Sequence, residues 1–234
     1  MTRLHFIVEG QTEKAFVESL IKPHLASKGV YATVQVTITR VSETFNDGRR
    51  NRTQHQGGLL KYSIFRKHVH QRYVNDRDAY VTTLIDLYAL PQDFPGMAIA
   101  TNLPLSKRLE HLNEAMRNDL QADGRLIPYI QPHEFEALLF SDPNAINYVV
   151  SDAGLGIDPS RLNELKQILN NFSSPEEIND SPMTAPSKRL INLFPGYEKV
   201  VFGELIAGQI GLEMIRKCCP HFDAWVANLE QLGS

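Results

Sequence analysis

Apolar residues run almost unbroken from Leu4 to Val8, and Glu9-Gly10 closes the run. Thr12 then opens a stretch in which Phe16, Val17, Leu20 and Ile21 recur at helical spacing. This predicts strand, tight turn and helix, with Thr12 as the N-cap. From Val30 to Val41, Val34, Val36 and Ile38 alternate with Gln35, Thr37 and Thr39, the period of a strand with one buried face that belongs beside the first. Residues Glu43 to Gly58 are polar and rich in turn formers, which predicts a long surface loop. Helical spacing returns from Leu59 to Tyr73, and Ala79 to Leu87 is a nearly continuous apolar run holding one acid, Asp86. Such a run predicts a buried central strand. A charged amphipathic helix over Ser106 to Leu120, a short strand over Leu126 to Ile130 and a helix beginning within Glu134 to Phe140 follow. The alternation of strands and helices favours an α/β fold with a mainly parallel, doubly wound sheet. After Ser141 the pattern is helical and punctuated by Pro159, Pro175, Pro182, Pro186 and Pro195. The expected division is therefore an α/β core over 1–145 and a helical C-terminal extension over 146–234 packed on it.

Composition narrows the class. Of 234 residues, 42% are hydrophobic and 22% charged, enough apolar surface for a sizeable core and too little charge for a disordered chain. A formal net charge of -3 argues against a protein that coats nucleic acid indiscriminately, so any nucleic-acid site must be a local patch. The two cysteines, Cys218 and Cys219, are adjacent, which suits neither a disulfide framework nor a zinc knuckle and points to a reducing compartment. No apolar window has the length of a membrane span and no leader pattern precedes the first strand. A soluble, cytoplasmic protein without membrane contact is expected.

Chemistry is expected where acids end strands, because ligands of open α/β sheets bind outside the carboxyl ends of the strands. Glu9 ends the first apolar run, Asp86 ends the central one, and Glu134 and Glu136 follow the strand near Ile130. Carboxylates are the hard oxygen donors that Mg²⁺ or Mn²⁺ requires, and such ions serve phosphoryl chemistry. The segment Val8-Glu9-Gly10-Gln11-Thr12-Glu13 resembles the EGxTE signature of Toprim domains, the catalytic fold of topoisomerases, bacterial primases and the overcoming-lysogenization-defect nucleases. Thr83-Leu84-Ile85-Asp86-Leu87-Tyr88 resembles the Toprim DxD strand in part, with Tyr88 where the second aspartate would stand. The blocks from Gln131 to Phe140 and from Pro186 to Leu190, with Cys219-Pro220-His221-Phe222 and Trp225, resemble a Toprim-like bacterial domain-of-unknown-function family, number 4276, over nearly the whole chain. That resemblance implies a metal site at Glu9, Asp86 and one or both of Glu134 and Glu136, with Glu13, Tyr88 and His133 as secondary candidates.

Pro186-Ser187 reads as a helix opening, so Lys188 and Arg189 would lie where backbone N–H groups can also meet a phosphate. The resemblance favours Lys188 for a catalytic role, and Arg189 for contact with nucleic acid. Arg49, Arg50, Arg52 and Lys61 begin a cation-rich stretch that extends to Arg72 and would steer nucleic acid toward a carboxylate site. Trp225 and Tyr197 are expected in the core. The resulting expectation is a Mg²⁺- or Mn²⁺-dependent Toprim-like nuclease, acting with a partner ATPase in defence against foreign DNA as the resemblance to defence-associated relatives implies. A non-catalytic interaction subunit built on the same scaffold, and a metal-dependent hydrolase of a small phosphate ester, are the alternatives. The chain contains no phosphate-binding GxxxxGK[ST] loop, no GxGxxG and no GxSxG motif, which disfavours an ATPase, a dinucleotide dehydrogenase and an α/β-hydrolase.

Overall fold

The computed structural model describes residues 1–46, 49–56, 61–155, 159–179 and 183–234, with backbone alone over 38–46 and 49–56. These residues divide into two compact units. The first comprises Met1–Lys14, Tyr31–Ile85 and Ala89–Ile130, and the second Ala15–Val30, Asp86–Tyr88 and Gln131–Ser234. This division crosses the chain several times.

The sheet is mainly parallel, as its pattern predicts. Strands β1 (Thr2–Val8), β2 (Val30–Val36), β5 (Tyr80–Asp86) and β6 (Leu126–Ile127) are ordered β2-β1-β5-β6. β1 and β5 run parallel with Val8 opposite Leu84, and β5 runs parallel to β6. Leu4, Phe6, Ile7 and Val8 are fully buried, as are Val81, Leu84 and Ile85. This is why the two central strands read as unbroken apolar runs rather than as alternation. Thr82 and Thr83 interrupt β5 without a penalty because their hydroxyls are used: Thr82 donates to the Ile127 carbonyl at 2.6 Å, and Thr83 to that of Tyr129 at 2.9 Å. The strand expected over Leu126 to Ile130 is two short pieces, β6 and β7 (Ile130–Gln131), both paired with β5.

Two expectations in the first half are corrected. The strand predicted from Val30 to Val41 stops at Val36, and Ile38–Asn46 forms β3, paired antiparallel with β4 (Arg49–Gln56) in a separate two-stranded sheet. The predicted loop over Glu43 to Gly58 is therefore largely strand. Backbone ladders need no apolar alternation, so a polar run such as Arg49–Gln56 gives no side-chain signal of pairing. Gly57 and Gly58 lie outside the described residues. The helix Gln11–Phe16 begins one residue before Thr12, which is buried inside it rather than capping it.

The second unit is built on aromatic contacts. Phe16 packs edge-on against Phe135 with ring centroids 5.1 Å apart, and Phe222 lies between Phe16 and Trp225 at 5.8 and 5.6 Å. Trp225 and Tyr197 are buried as expected. Cys218 and Cys219 are both free thiols. No helix among the described residues is long and apolar enough to cross a membrane.

Candidate acid and lysine site

Within the first unit, Glu9 follows β1 directly, and its backbone N–H donates to the Leu84 carbonyl at 3.2 Å. This extends the β1–β5 pairing to the residue after the strand. Glu13 is buried on the helix Gln11–Phe16, and Lys61 is exposed just before the helix Tyr62–Asn75. Arg49, Arg50 and Arg52 lie on β4, where the side chains are outside what the structure describes.

The remaining acids belong to the second unit. The Tyr88 N–H donates to the His133 carbonyl at 3.2 Å, and the two rings tilt against each other with centroids 5.7 Å apart. The chain after Asp86 is thereby tied to the chain before Glu134. His133 has a φ of 61°, a left-handed conformation that non-glycine residues adopt at a cost and that recurs at functional segments. Its Nδ1 lies 3.0 Å from the Asn179 amide nitrogen, which fits an imidazole that accepts at Nδ1.

Glu134 accepts a hydrogen bond at 3.0 Å from the Ser187 N–H, in the first turn of the helix Pro186–Leu193. The helix opening expected from Pro186-Ser187 is present, but this N–H meets a carboxylate of the chain itself instead of an incoming phosphate. The physics is the same, since an anion at a helix N-terminus meets unsatisfied donors and the positive end of the dipole. Glu136 lies on the 3-10 turn Phe135–Ser141, every residue of which is buried. At 2 % exposure its carboxylate needs a partner. Lys199 Nζ supplies it, 3.2 Å from Oε1, with the lysine side chain 44 % exposed.

The electrostatics converge on that lysine. Burial lowers the Lys199 pKa, but Glu136, Glu134 and Asp86 together outweigh it and hold the ammonium above its ordinary value. Burial pushes the Glu136 carboxyl up, Lys199 pulls it back down, and Glu134 adds to the rise. The Tyr197 hydroxyl is buried and has no hydrogen-bond partner among the described residues. Burial first, then the charges of Glu136 and Glu134, raise its pKa and keep it protonated. Tyr88 is raised in the same way, by burial and then by Glu134. Asp86, Glu134, Glu136, Lys199, Tyr197 and Tyr88 are therefore one electrostatic neighbourhood.

The cations named from the sequence after Pro186 lie on the helix whose first turn meets Glu134. Lys188 is exposed on the helix Pro186–Leu193. Arg189 donates from Nε to the Thr184 carbonyl at 2.7 Å and stands over the Phe172 ring at 6.0 Å, so its guanidinium has local structural contacts. Lys199, Tyr197 and Asn179 are what sequence reasoning missed. A signal existed for Lys199: it opens the helix Lys199–Ile210, where a cation faces the positive end of the dipole and needs a compensating acid.

The profile of a family described as Domain of unknown function (DUF4276) matches residues 8–230. The chain belongs to this DUF4276 family. Its structural likeness is to the C-terminal region of the OLD protein of Xanthomonas campestris pv. campestris. The platinum-phased structure of that region is 13% identical with a TM-score of 0.51, covering 99% of this chain and 94% of that one. The mercury-phased structure of the same region is also 13% identical, covers 100% and 97% of the two chains, and has a TM-score of 0.49. At that identity the likeness shows the fold, and it agrees with the Toprim-like α/β class expected from the sequence. No match to a curated protein sequence is found.

Proposed function

We propose that this DUF4276 protein is a divalent-metal-dependent phosphodiesterase of the Toprim type that cleaves nucleic acid. The observation that carries the reading is the second unit's neighbourhood, in which three acids from two separate segments act on one half-exposed lysine.

Among the described residues no group of three or more His, Cys, Asp or Glu side chains is arranged to hold a metal ion. With Glu136 engaged by Lys199, Asp86 and Glu134 are the donors the second unit offers. They fit a Mg²⁺-type ion, which keeps several waters and takes one or two carboxylates together with substrate phosphate. When bound, such an ion activates water and shields phosphate charge. Lys199 carries a compact positive charge that the acids keep protonated, suited to the charge that develops on a phosphate oxygen. The protonated Tyr197 hydroxyl is a donor with no acceptor among the described residues. Glu9 is proposed as a further acid of the reaction on the strength of its Toprim-like sequence context. A separate ATPase is the proposed partner, and defence against foreign DNA the proposed setting, both from the sequence resemblance.

The test is cleavage of a labelled DNA or RNA strand with Mn²⁺ or Mg²⁺. Wild type should cleave, while Asp86→Asn, Glu134→Gln and Glu9→Gln should each lose about a hundredfold or more in rate with the fold intact. Cleavage that persists in Asp86→Asn sinks the reading. Tyr88 favours one alternative, an interaction subunit: a phenol 42 % exposed stands where a second DxD acid would be. Wild type that stays inactive with metal and with an ATPase partner supplied would point there.

A further inference from the structure

In the second unit the Tyr88 ring is 42 % exposed, yet it is held in place. Its backbone N–H is bonded to the His133 carbonyl, and its ring tilts at 47° against the His133 ring. His133 is fixed in turn, with its backbone in the left-handed region and its Nδ1 bonded to the Asn179 amide. A single exposed aromatic residue needs no explanation by itself. Tyr88 differs in being oriented before any ligand arrives, and in where it stands. Asp86, which ends β5, is two residues before it, a reach of at most about 7 Å between Cα atoms. Tyr88 and Lys199 both lie within the field of Glu134. The open ring therefore stands beside the acids and the lysine assigned to phosphate chemistry, close enough for one nucleotide to meet both. A neutral aromatic face stacks on any base whose own face is open, whatever its sequence. Because the ring is already oriented, little side-chain freedom is lost when it does so.

We propose that Tyr88 is a base-stacking platform that makes single-stranded nucleic acid, with an unpaired base beside the cleaved phosphate, the substrate of the acid and lysine site. A base within a duplex is covered on both faces by its neighbours and would have to leave the stack to reach the ring. The platform deepens the nuclease reading and rests on it only for the cleaved phosphate, since the stacking contact needs no cleavage.

The experiment is binding with Ca²⁺, which takes the same oxygen donors as Mg²⁺, the strand being checked intact afterwards. The probe is a labelled DNA strand of about twelve nucleotides carrying one fluorescent adenine analogue whose emission falls on stacking, alone or paired with its complement. Wild type should bind the single strand about tenfold more tightly than the duplex and quench the analogue. Tyr88→Leu keeps apolar bulk without a ring, and should lose the quench and about tenfold in single-strand affinity, the size expected of one stacked base. Tyr88→Phe should retain both, and Tyr88→Trp, with a larger ring, should bind the strand more tightly than wild type. Melting temperatures check that each variant is folded, and if Tyr88→Leu is not, Tyr88→Trp decides. Unchanged affinity and quench in Tyr88→Leu overturn the platform, as does a duplex bound as tightly as the single strand. A wild type that binds no strand also overturns it and leaves Tyr88 to a protein partner. A Tyr88-dependent quench from a wild type that cleaves nothing with Mn²⁺ leaves the platform standing and the nuclease reading fallen. Cleavage with binding insensitive to Tyr88→Leu gives the reverse.

Discussion

The Glu136–Lys199 pair shows how one contact ties stability to the chemistry proposed for the site. A carboxylate at 2 % exposure is tolerated because an ammonium lies 3.2 Å away, and truncating the lysine removes that compensation. Lys199→Met should cost about 1–3 kcal/mol at neutral pH, the half-exposed lysine placing the cost below that of a fully buried pair. The pH dependence has a definite sign. Burial raises the folded pKa of Glu136, so its contribution is full below the unfolded carboxyl value of about 4.3 and is lost as pH rises through the folded value. Without Lys199 that folded value rises further. The cost of the variant should therefore be larger at about pH 8 than at about pH 5. Adding Glu136→Gln should recover part of it. Denaturant titrations of the two single variants and the double variant at both pH values measure this, and a cost independent of pH would show that the pair is not what couples the two side chains.

At the scale of elements, helix ends carry much of the second unit's specificity. The helix Pro220–Glu230 is capped from a distance: Glu176 accepts from the N–H groups of His221 and Phe222, both at 2.9 Å. Glu176 is itself buried, and burial pushes its carboxyl up to about 7 against the pull of those two donors. A raised acid stabilises the fold most below its unfolded pKa and loses that contribution as pH rises toward 7. Melting temperature should accordingly fall between about pH 4.5 and about pH 7, and Glu176→Gln should flatten that slope. Glu176→Ala leaves two donors without an acceptor and should cost about 2 kcal/mol near pH 4.5 and less as pH rises toward 7. In the first unit, Gly96 has a φ of +80°, and a Cβ there would stand 2.8 Å from His111 Nε2 and 2.9 Å from Ala115 Cβ. The end of the His111 ring can turn aside, but Ala115, on the helix Leu105–Asp119, cannot. Gly96→Ala should destabilise by about 1–3 kcal/mol by denaturant titration. The elements legible in the sequence were those with buried faces, β1, β5 and the longer helices. The β3–β4 pair was not, because its order rests on backbone ladders that polar side chains do not announce.

For the whole molecule, the decisive measurement is linkage between metal and stability. A ligand bound only by the native state stabilises it in proportion to the logarithm of its concentration. Wild type should gain several degrees in Tm with millimolar Mn²⁺, and Asp86→Asn should gain little while remaining as stable as wild type without metal, since neutralising one of several neighbouring acids relieves repulsion. Equal gains in both proteins would remove Asp86 from the metal site. The sequence by itself determined the parallel α/β class and the acids at strand ends. An apolar run long enough for a central strand leaves few other folds, and Asp86 at its end is expensive unless used. It also pointed to the Glu134 and Glu136 segment, through the blocks that resemble the family. Only the tertiary structure decided which cation meets those acids. Lys199 lies 63 residues beyond Glu136, and no local pattern sets a contact between a 3-10 turn and the start of a distant helix. The same holds for the donor given to Glu134: Ser187 signals a helix start, and only the packing of that helix decides which anion its N–H meets.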